Sequence, residues 1–389
     1  MVKNNLKFLE KISKELEYKE KSSMECNMLS SLMANGYSQD ALFKKYSGSI
    51  NNLASKLEFA ASRNSIRKKY SKYDELWLDS YSASYSTPEN VGIYRSLKLK
   101  GHDIADLGSG GGMQAIFLSK NSRVTGIEIN PERNLMSKLN CIPYESDCTF
   151  ILGDATLSGE VLKDKDTIYS DPFRSRVSDE RRIDILEPSP VKILSLYGHR
   201  IQNFVFDLPP MMRRENMSML KGELEYISVN GRISRLTIYS MDNAENKTTA
   251  YDLSTGVKFE SFEYEEPEKT DEVKSLMFVP DESLFYSGLH GTYCKKIGLS
   301  ILQVEKRKAL YTGETELPGF MGETYRVEKT CEFDSLKENL VSSEGGKVII
   351  RFDTPDYYKV KETLEKELSG DKVIHVFKIN DRAILCSAN

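Results

Sequence analysis

What this chain of 389 residues lacks narrows its function first. No two cysteines stand in a C-x-x-C pair: Cys26, Cys141, Cys148, Cys294, Cys331 and Cys386 are scattered, as are His102, His199, His290 and His375. That dispersal argues against a zinc site or a disulfide framework, so no metal is expected and the thiols fit a reducing cytoplasm. No apolar run approaches the roughly 20 residues needed to cross a bilayer, so no membrane partner is expected. Internal repeats and low-complexity tracts are absent too. Nor is there a global charge signature. The 54 basic and 58 acidic residues leave a formal charge of −4, so any nucleic acid must bind a local patch. The opening stretch, MVKNNLKFLEKISKELEYKEK, mixes both charge signs in an amphipathic pattern and reads as a solvated helix, neither a signal nor a transit peptide.

What is present is an ordinary globular composition, 39% hydrophobic and 29% charged, long enough for two or three domains. Residues up to about Tyr73 repeat apolar positions at helical spacing. YSASYSTPENVGIYRSLKL then predicts a helix with Ser86 or Thr87 as N-cap and Pro88 in its first turn. A regular alternation follows. DIADLG and RVTGIEI read as strands, GMQAIFLSK and PERNLMSKLNCI as the helices after them, and CTFILGDA and DTIYSDPF as further strands. Such alternation predicts a parallel sheet covered on both faces. IQNFVFDLPP reads as a fifth strand and LEYISVNGRISRLTIYS as a hairpin turning at Asn230-Gly231. Beyond a charged linker, EYEEPEKTDEVK, a helix, a strand, a helix and a hairpin predict a small α+β domain.

The chemistry gathers at the strand ends. In DIADLGSGGGMQAIFLSK, Asp106 stands two residues before the first glycine of a strand-to-helix turn. Glycine-rich turns of this kind usually receive a pyrophosphate, but a carboxylate there repels phosphate and suits a cationic ligand. Gly108, Gly110 and Gly112 form the turn. Counted from Gly108, the G-x-G-x-x-G pattern fails at Met113; counted from Gly110, it fits the looser G-x-G-x-x-A through Ala115. Glu128 ends the next strand about 20 residues on, where an acid can accept hydrogen bonds from both ribose hydroxyls. In LGDAT, Asp154 follows the third strand, in place to bind an adenine amino group.

YSDPFRSR after the fourth strand discriminates between ligands. A hydride-transfer domain has no use for it, whereas an amino-methylating enzyme does. Asp171 can accept a hydrogen bond from an exocyclic amine, Pro172 fixes the turn, and Phe173 can stack on a planar base. Asp207-Leu208-Pro209-Pro210 loosely resembles an Asp-Pro-Pro signature, one strand later; it reads either as a substrate-side loop or as strand termination.

These four positions resemble the class I S-adenosylmethionine-dependent methyltransferases. The resemblance implies an α/β, Rossmann-like sheet of parallel strands with a C-terminal antiparallel hairpin, and S-adenosylmethionine as cofactor. That ligand carries net positive charge and no phosphate, which makes Asp106 favourable. Asp106, Gly108, Gly110, Gly112, Glu128 and Asp154 are then the cofactor-binding residues, and Asp171, Pro172 and Phe173 the catalytic ones. The lead-in from SRNSIRKKYSKYDELWLDSYSASYSTPENVG and the tail blocks FVPDESLFYSGLHGTYCKKIGLSIL, KVIIRFDTPDYYKVKETLEKEL and DRAILCS look like a methyltransferase family that ends in a THUMP-like domain. Three parts are thus expected: a helical region over 1–85, the methyltransferase domain over 86–275 and a THUMP-like domain over 276–389.

THUMP domains bind RNA, often tRNA acceptor ends, so the implied partner is a structured tRNA or rRNA, met by a cytoplasmic monomer. The DPF is similar to that of tRNA guanine-N2 dimethyltransferases, though its continuation differs and leaves guanine and adenine both open. Basic clusters at 63–72, 174–182, 213–214 and 295–308, with the tyrosines Tyr70, Tyr73, Tyr81 and Tyr85, are the groups offered to RNA. The expected reaction is methyl transfer to a nitrogen of a flipped base. Carbon methylation would want a cysteine nucleophile, and the loops after the fourth and fifth strands hold none. Two other classes stay open. A methyltransferase for a small molecule or protein would share the donor site without needing the basic patches. A non-catalytic RNA-binding protein would keep the fold and lose donor affinity.

Overall fold

In the computed structural model the described residues are 5–157, 159–174, 182–212, 214–217, 220–242 and 244–388. They fall into two compact units, Met1–Gly222 with Thr237–Ala244, and Glu223–Leu236 with Glu245–Asn389.

The first unit opens with helices α1 (Asn5–Lys14), α2 (Leu16–Ala34), α3 (Gln39–Tyr46), α4 (Leu53–Ile66), α5 (Ser80–Tyr85) and α6 (Glu89–Lys98). Then come β1 (Asp103–Leu107), α7 (Met113–Leu118), β2 (Arg123–Glu128), α8 (Pro131–Tyr144), β3 (Thr149–Leu152), β4 (Thr167–Ser170), the short pair β5 (Phe173–Arg174) and β6 (Leu186–Glu187), α9 (Pro190–Tyr197) and β7 (Asn203–Leu208). The alternation read from sequence is the one that forms. β1 and β4 are buried on both faces, as parallel strands under helices must be.

Strands run β3-β2-β1-β4-β7, all parallel, with β1 paired to β2 on one side and to β4 on the other. The order therefore reverses at β1 and β4. A crevice opens at the carboxyl ends of strands at such a switch point, and ligands of open α/β sheets bind there. Asp106 is level with Tyr169 and Leu107 with Ser170, so the glycine turn after β1 and the Asp171 loop after β4 leave the sheet side by side. The Ser170 hydroxyl donates to the Leu107 carbonyl at 2.9 Å and ties the two strand ends together.

The N-terminal helices dock on α8 through Phe8, Leu9, Ile12 and Phe59, which pack with Trp77 and with Met136 and Leu139 of α8. One predicted cap is corrected. Pro88, not Ser86 or Thr87, is the N-cap of α6, without a side-chain cap bond. The buried Tyr70 hydroxyl explains the shift, because it donates to the Thr87 carbonyl and lies within hydrogen-bond distance of Ser86 Oγ, at 2.7 Å each.

β8 (Glu223–Val229) and β9 (Arg232–Ser240) are joined at Asn230-Gly231, where both residues have positive φ, 53° and 74°. That is the conformation an Asn-Gly hairpin turn requires. The end of β9 belongs to the first unit, beside β7. In the second unit β10 (Thr248–Asp252) runs parallel to β8 and antiparallel to β11 (Val257–Ser261).

A separate seven-stranded sheet follows. Its chain order is β12 (Leu276–Pro280), α10 (Glu282–Ser287), α11 (His290–Lys296), β13 (Ser300–Val304), β14 (Ala309–Gly313), β15 (Gly322–Glu332), α12 (Leu336–Ser342), β16 (Gly345–Ile350), α13 (Tyr357–Glu365), β17 (Lys372–Ile379) and β18 (Arg382–Ala388). Its spatial order is β13-β14-β12-β15-β18-β17-β16, with β16 and β17 parallel across α13 and the other pairs antiparallel. Among the described residues no helix is long and apolar enough to cross a membrane.

Candidate functional site

The crevice is built from backbone first. Gly108 donates its N–H to the Ile127 carbonyl at 2.9 Å, so the turn begins by adding one more rung between β1 and β2. Gly112 caps α7 at φ 85°, and a Cβ there would meet Ser137 Cβ at 2.6 Å and Phe150 Cζ at 2.9 Å. Only glycine lets the helix start that close to β3. Gly110 also has positive φ, 55°, but a Cβ on it would meet nothing within 4 Å. Its face is open space.

Two acids face this turn. Glu128, 5% exposed, accepts from Gly110 N–H through Oε2 at 2.7 Å and from Asn130 N–H through Oε1 at 2.8 Å. Each oxygen keeps a lone pair for a ligand hydroxyl. Asn130 then caps α8 by accepting from the N–H groups of Glu132 and Arg133. Asp106 is 2% exposed, and its Oδ2 has no hydrogen-bond partner among the described residues. Burial, and after it the charge of Asp171, holds the Asp106 carboxyl well above the usual carboxylate range; Cys148, Glu128 and Asp207 add to the rise. A buried acid that no partner among the described residues neutralises, in a field of other acids, is a place for a cation.

Asp171 is exposed at the end of β4, Pro172 is buried behind it, and Phe173 is 44% exposed. Asp154 lies past β3, where its Oδ1 accepts from the Thr156 N–H and hydroxyl at 2.8 Å each. Those two bonds, the backbone one first, hold its carboxyl below the usual range. The first sheet thus carries all nine expected residues at the carboxyl ends of β1, β2, β3 and β4, and hydrogen bonding directly joins Gly110 to Glu128.

Other expected residues are spent on structure. Asp207 is buried, with Oδ1 accepting from Arg95 Nη2 at 2.7 Å and Thr237 Oγ1 at 2.6 Å, and Oδ2 accepting from the Tyr169 hydroxyl at 2.9 Å. Arg95 also donates to Tyr169 at 3.0 Å and to Gln114. The DLPP acid is therefore half of a buried ion pair that fastens α6 to β7, not a substrate-side carboxylate. Arg63, read as part of a basic surface cluster, is buried too. It donates to the carbonyls of Leu76 and Ser23 and to Asn27, with its guanidinium 4.9 Å from the Trp77 ring centroid. Lys69 donates to Ala83 O at 3.0 Å, so Arg67, Lys68 and Lys72 are what the 63–72 cluster offers to solvent, Arg67 over the Tyr73 ring and Lys72 paired with Glu75 at 3.7 Å. Of the clusters at 174–182 and 213–214, residues 175–181 and 213 lie outside the described residues, as do the side chains of Arg174 and Arg214; Arg182 pairs with Asp184.

Three features went unread in the sequence. Ile129, directly after Glu128, is 68% exposed, and Leu152, level with Glu128 on β3, is exposed as well. They give the acid an apolar rim suited to a planar ring. An apolar residue following a strand-end acid was a usable signal. Arg95 left no signal, since its partner lies 112 residues away. Tyr81 and Tyr85 could be named as aromatics, but nothing local placed them beside Phe173.

No protein-family profile matches the chain, and no curated protein sequence does. Among solved structures, a protein from Porphyromonas gingivalis W83 assigned as a methyltransferase superposes with a TM-score of 0.73 at 20% identity, over 95% of this chain and 98% of that one. The chain shares that protein's Rossmann-like α/β fold. More partial likenesses include the T. thermophilus 16S rRNA N2 G1207 methyltransferase in complex with AdoMet and guanosine, with a TM-score of 0.33 at 16% identity over 41% of this chain and 44% of that one. Another is the Pyrococcus abyssi tRNA (uracil-54, C5)-methyltransferase in complex with S-adenosyl-L-homocysteine, with a TM-score of 0.25 at 22% identity over 34% of this chain and 30% of that one. Within this fold, the crevice at β1 and β4 is the candidate functional site.

Proposed function

We propose that this chain is an S-adenosylmethionine-dependent methyltransferase acting on a base nitrogen, guanine or adenine, in a structured tRNA or rRNA. One observation carries the cofactor reading. The buried Asp106 carboxyl has an oxygen without a partner among the described residues, beside a glycine turn whose open face is anchored by Glu128. That donor set fits a ligand with a sulfonium, an ammonium and a ribose, and would repel a pyrophosphate.

When bound, S-adenosylmethionine supplies an electrophilic methyl group on a sulfonium. Asp106 offsets the ligand's positive charge and is itself driven to ionise by it. Glu128 turns its remaining lone pairs to the ribose hydroxyls, and Ile129 and Leu152 cover the adenine. Asp171 accepts a hydrogen bond from the target amine and so aims its lone pair, while Phe173 stacks on the base. Catalysis of this kind is positioning: it holds a nucleophile and an electrophile in a near-attack pair and excludes water. Nitrogen is the preferred acceptor because the segments 171–174 and 209–212 contain no cysteine to activate a ring carbon.

The same reading makes residues 276–389 a THUMP-like, RNA-binding domain after a catalytic domain over 86–275, in a cytoplasmic monomer. Calorimetry with S-adenosylmethionine tests the donor site. Mass spectrometry of modified nucleosides from cells lacking the protein tests the acceptor. A full complement of methylated nucleosides in such cells would refute the RNA assignment.

A further inference from the structure

The helical region ahead of the sheet sends one short helix to the crevice. On α5, Tyr81 and Tyr85 stand one turn apart with ring centroids separated by 4.7 Å, and Tyr81 is 5.9 Å from Phe173. Arg133, in the first turn of α8, holds its guanidinium 4.4 Å from the Tyr81 ring centroid, and its Nε is buried without a hydrogen-bond partner among the described residues. Three rings and one cation thus converge from three segments far apart in sequence. The helix that carries two of them is fastened: Asp79 caps α5 by accepting from Ser82 N–H at 2.6 Å, and Lys69 donates to the Ala83 carbonyl.

Clustered aromatics are ordinarily core residues, yet Tyr85 keeps 48% of its surface exposed, close to the 44% of Phe173. We infer that Tyr81, Tyr85 and Phe173, with Arg133 at their edge, form a stacking wall for a planar, uncharged aromatic ring, which makes the substrate class a nucleobase. This deepens the methyl-transfer reading and rests on it for what happens to the ring, but not for the ring's binding. Each face of the wall offers a π surface of the size a base covers, and offset stacking tolerates any base. An aliphatic ammonium would seek the same rings by cation–π attraction, but Arg133 already occupies that position over Tyr81 and would repel it. Asp171 lies two residues before Phe173, which puts an acceptor for an exocyclic amine next to the wall in the chain.

Two sources can supply the ring, a free nucleoside or a base extruded from a strand, and the test separates them. The full chain is titrated with guanosine, with adenosine and with a short single-stranded RNA oligonucleotide, and S-adenosylmethionine is titrated in parallel. Tyr85→Ala and Tyr81→Leu should each raise the Kd for the aromatic probe by about five- to a hundredfold with S-adenosylmethionine affinity unchanged, while Tyr81→Phe and Tyr85→Phe bind as wild type. Nucleosides binding as tightly as the oligonucleotide would support the wall with a free-base source; an oligonucleotide preference would support it with a strand source. Unchanged probe affinity in Tyr85→Ala overturns the wall. So does a wild-type chain that binds S-adenosylmethionine and none of the three probes. A chain that binds the oligonucleotide and not S-adenosylmethionine overturns the proposed reaction instead, and leaves the wall standing.

Discussion

The backbone N–H of Gly110 donates to Glu128 Oε2 at 2.7 Å, so the glycine turn after β1 and the acid ending β2 are one device. The acid holds the turn in the shape that exposes it to a ligand. Glu128→Ala should therefore weaken S-adenosylmethionine binding by about 1.5–3 kcal/mol, the scale of a charge-assisted hydrogen bond. Glu128→Gln, which keeps one acceptor, should lose less. Titration calorimetry decides it, and equal affinity in wild type and Glu128→Ala would remove this residue from the site.

Asp106 should show opposite effects on stability and on binding. Its folded carboxyl is held above its unfolded value by burial and by Asp171, so between those two values the folded state binds more protons. Stability contributed at this position is then present at low pH and lost as pH rises through the folded value. Asp106→Asn should raise the thermal midpoint at neutral pH, by roughly 2–4 °C per kcal/mol of penalty relieved, while weakening S-adenosylmethionine binding. A cationic ligand favours the ionised acid, so wild-type affinity should climb with pH over the same window and the variant should show no climb. Scanning calorimetry and isothermal titration across pH test both halves.

Asp171 and Asp207 should fail differently. Asp171 is exposed beside the crevice, so Asp171→Ala should keep the melting temperature and still bind the donor, with the pH window of Asp106 moved down, while slowing turnover about a hundredfold, roughly 3 kcal/mol in the barrier. Asp207→Ala strands the buried Arg95 guanidinium and should destabilise the fold by about 3–5 kcal/mol. An Asp207→Ala chain with an unchanged melting temperature and no turnover, against an active Asp171→Ala, would move the catalytic loop to β7.

RNA affinity should depend on the tip between β13 and β14. Lys306 and Arg307 are exposed there and border a cavity of about 470 Å³ with Asp353, Thr354 and Pro355. Truncation before β12 would be a poorer test, because Leu284, Leu289 and Met321 cover Ala250 of β10 and would go with the tail. Reversing both charges, Lys306→Glu with Arg307→Glu, should weaken tRNA binding and make the slope of log affinity against log salt shallower, by about one for each phosphate no longer neutralised. Fluorescence anisotropy over a salt series measures it. An unchanged slope would give the tail another purpose.

The alternating strands and helices of the first sheet, the Asn230-Gly231 hairpin and the placement of acids at strand ends were legible because each is local. Hydrophobic period, turn chemistry and the residue that follows a strand are all written within a few positions. β15 was not legible: it is mostly exposed, so its polar stretch carries no burial pattern to read. Three findings needed the tertiary structure. Arg63 looked like one cation in a basic run, and packing against Trp77 made it a core strut. Asp207 looked like a motif, and Arg95, distant in the chain, took both its charge and its exposure. Tyr81 and Phe173, 92 positions apart by their numbers, became neighbours only because the fold brings α5 beside β5. The sequence by itself determined which elements form and what chemistry each strand end carries, since backbone propensity and side-chain type act over single turns. Which charges stay free for a ligand was decided by the tertiary structure, because burial and pairing depend on residues brought together from anywhere in the chain.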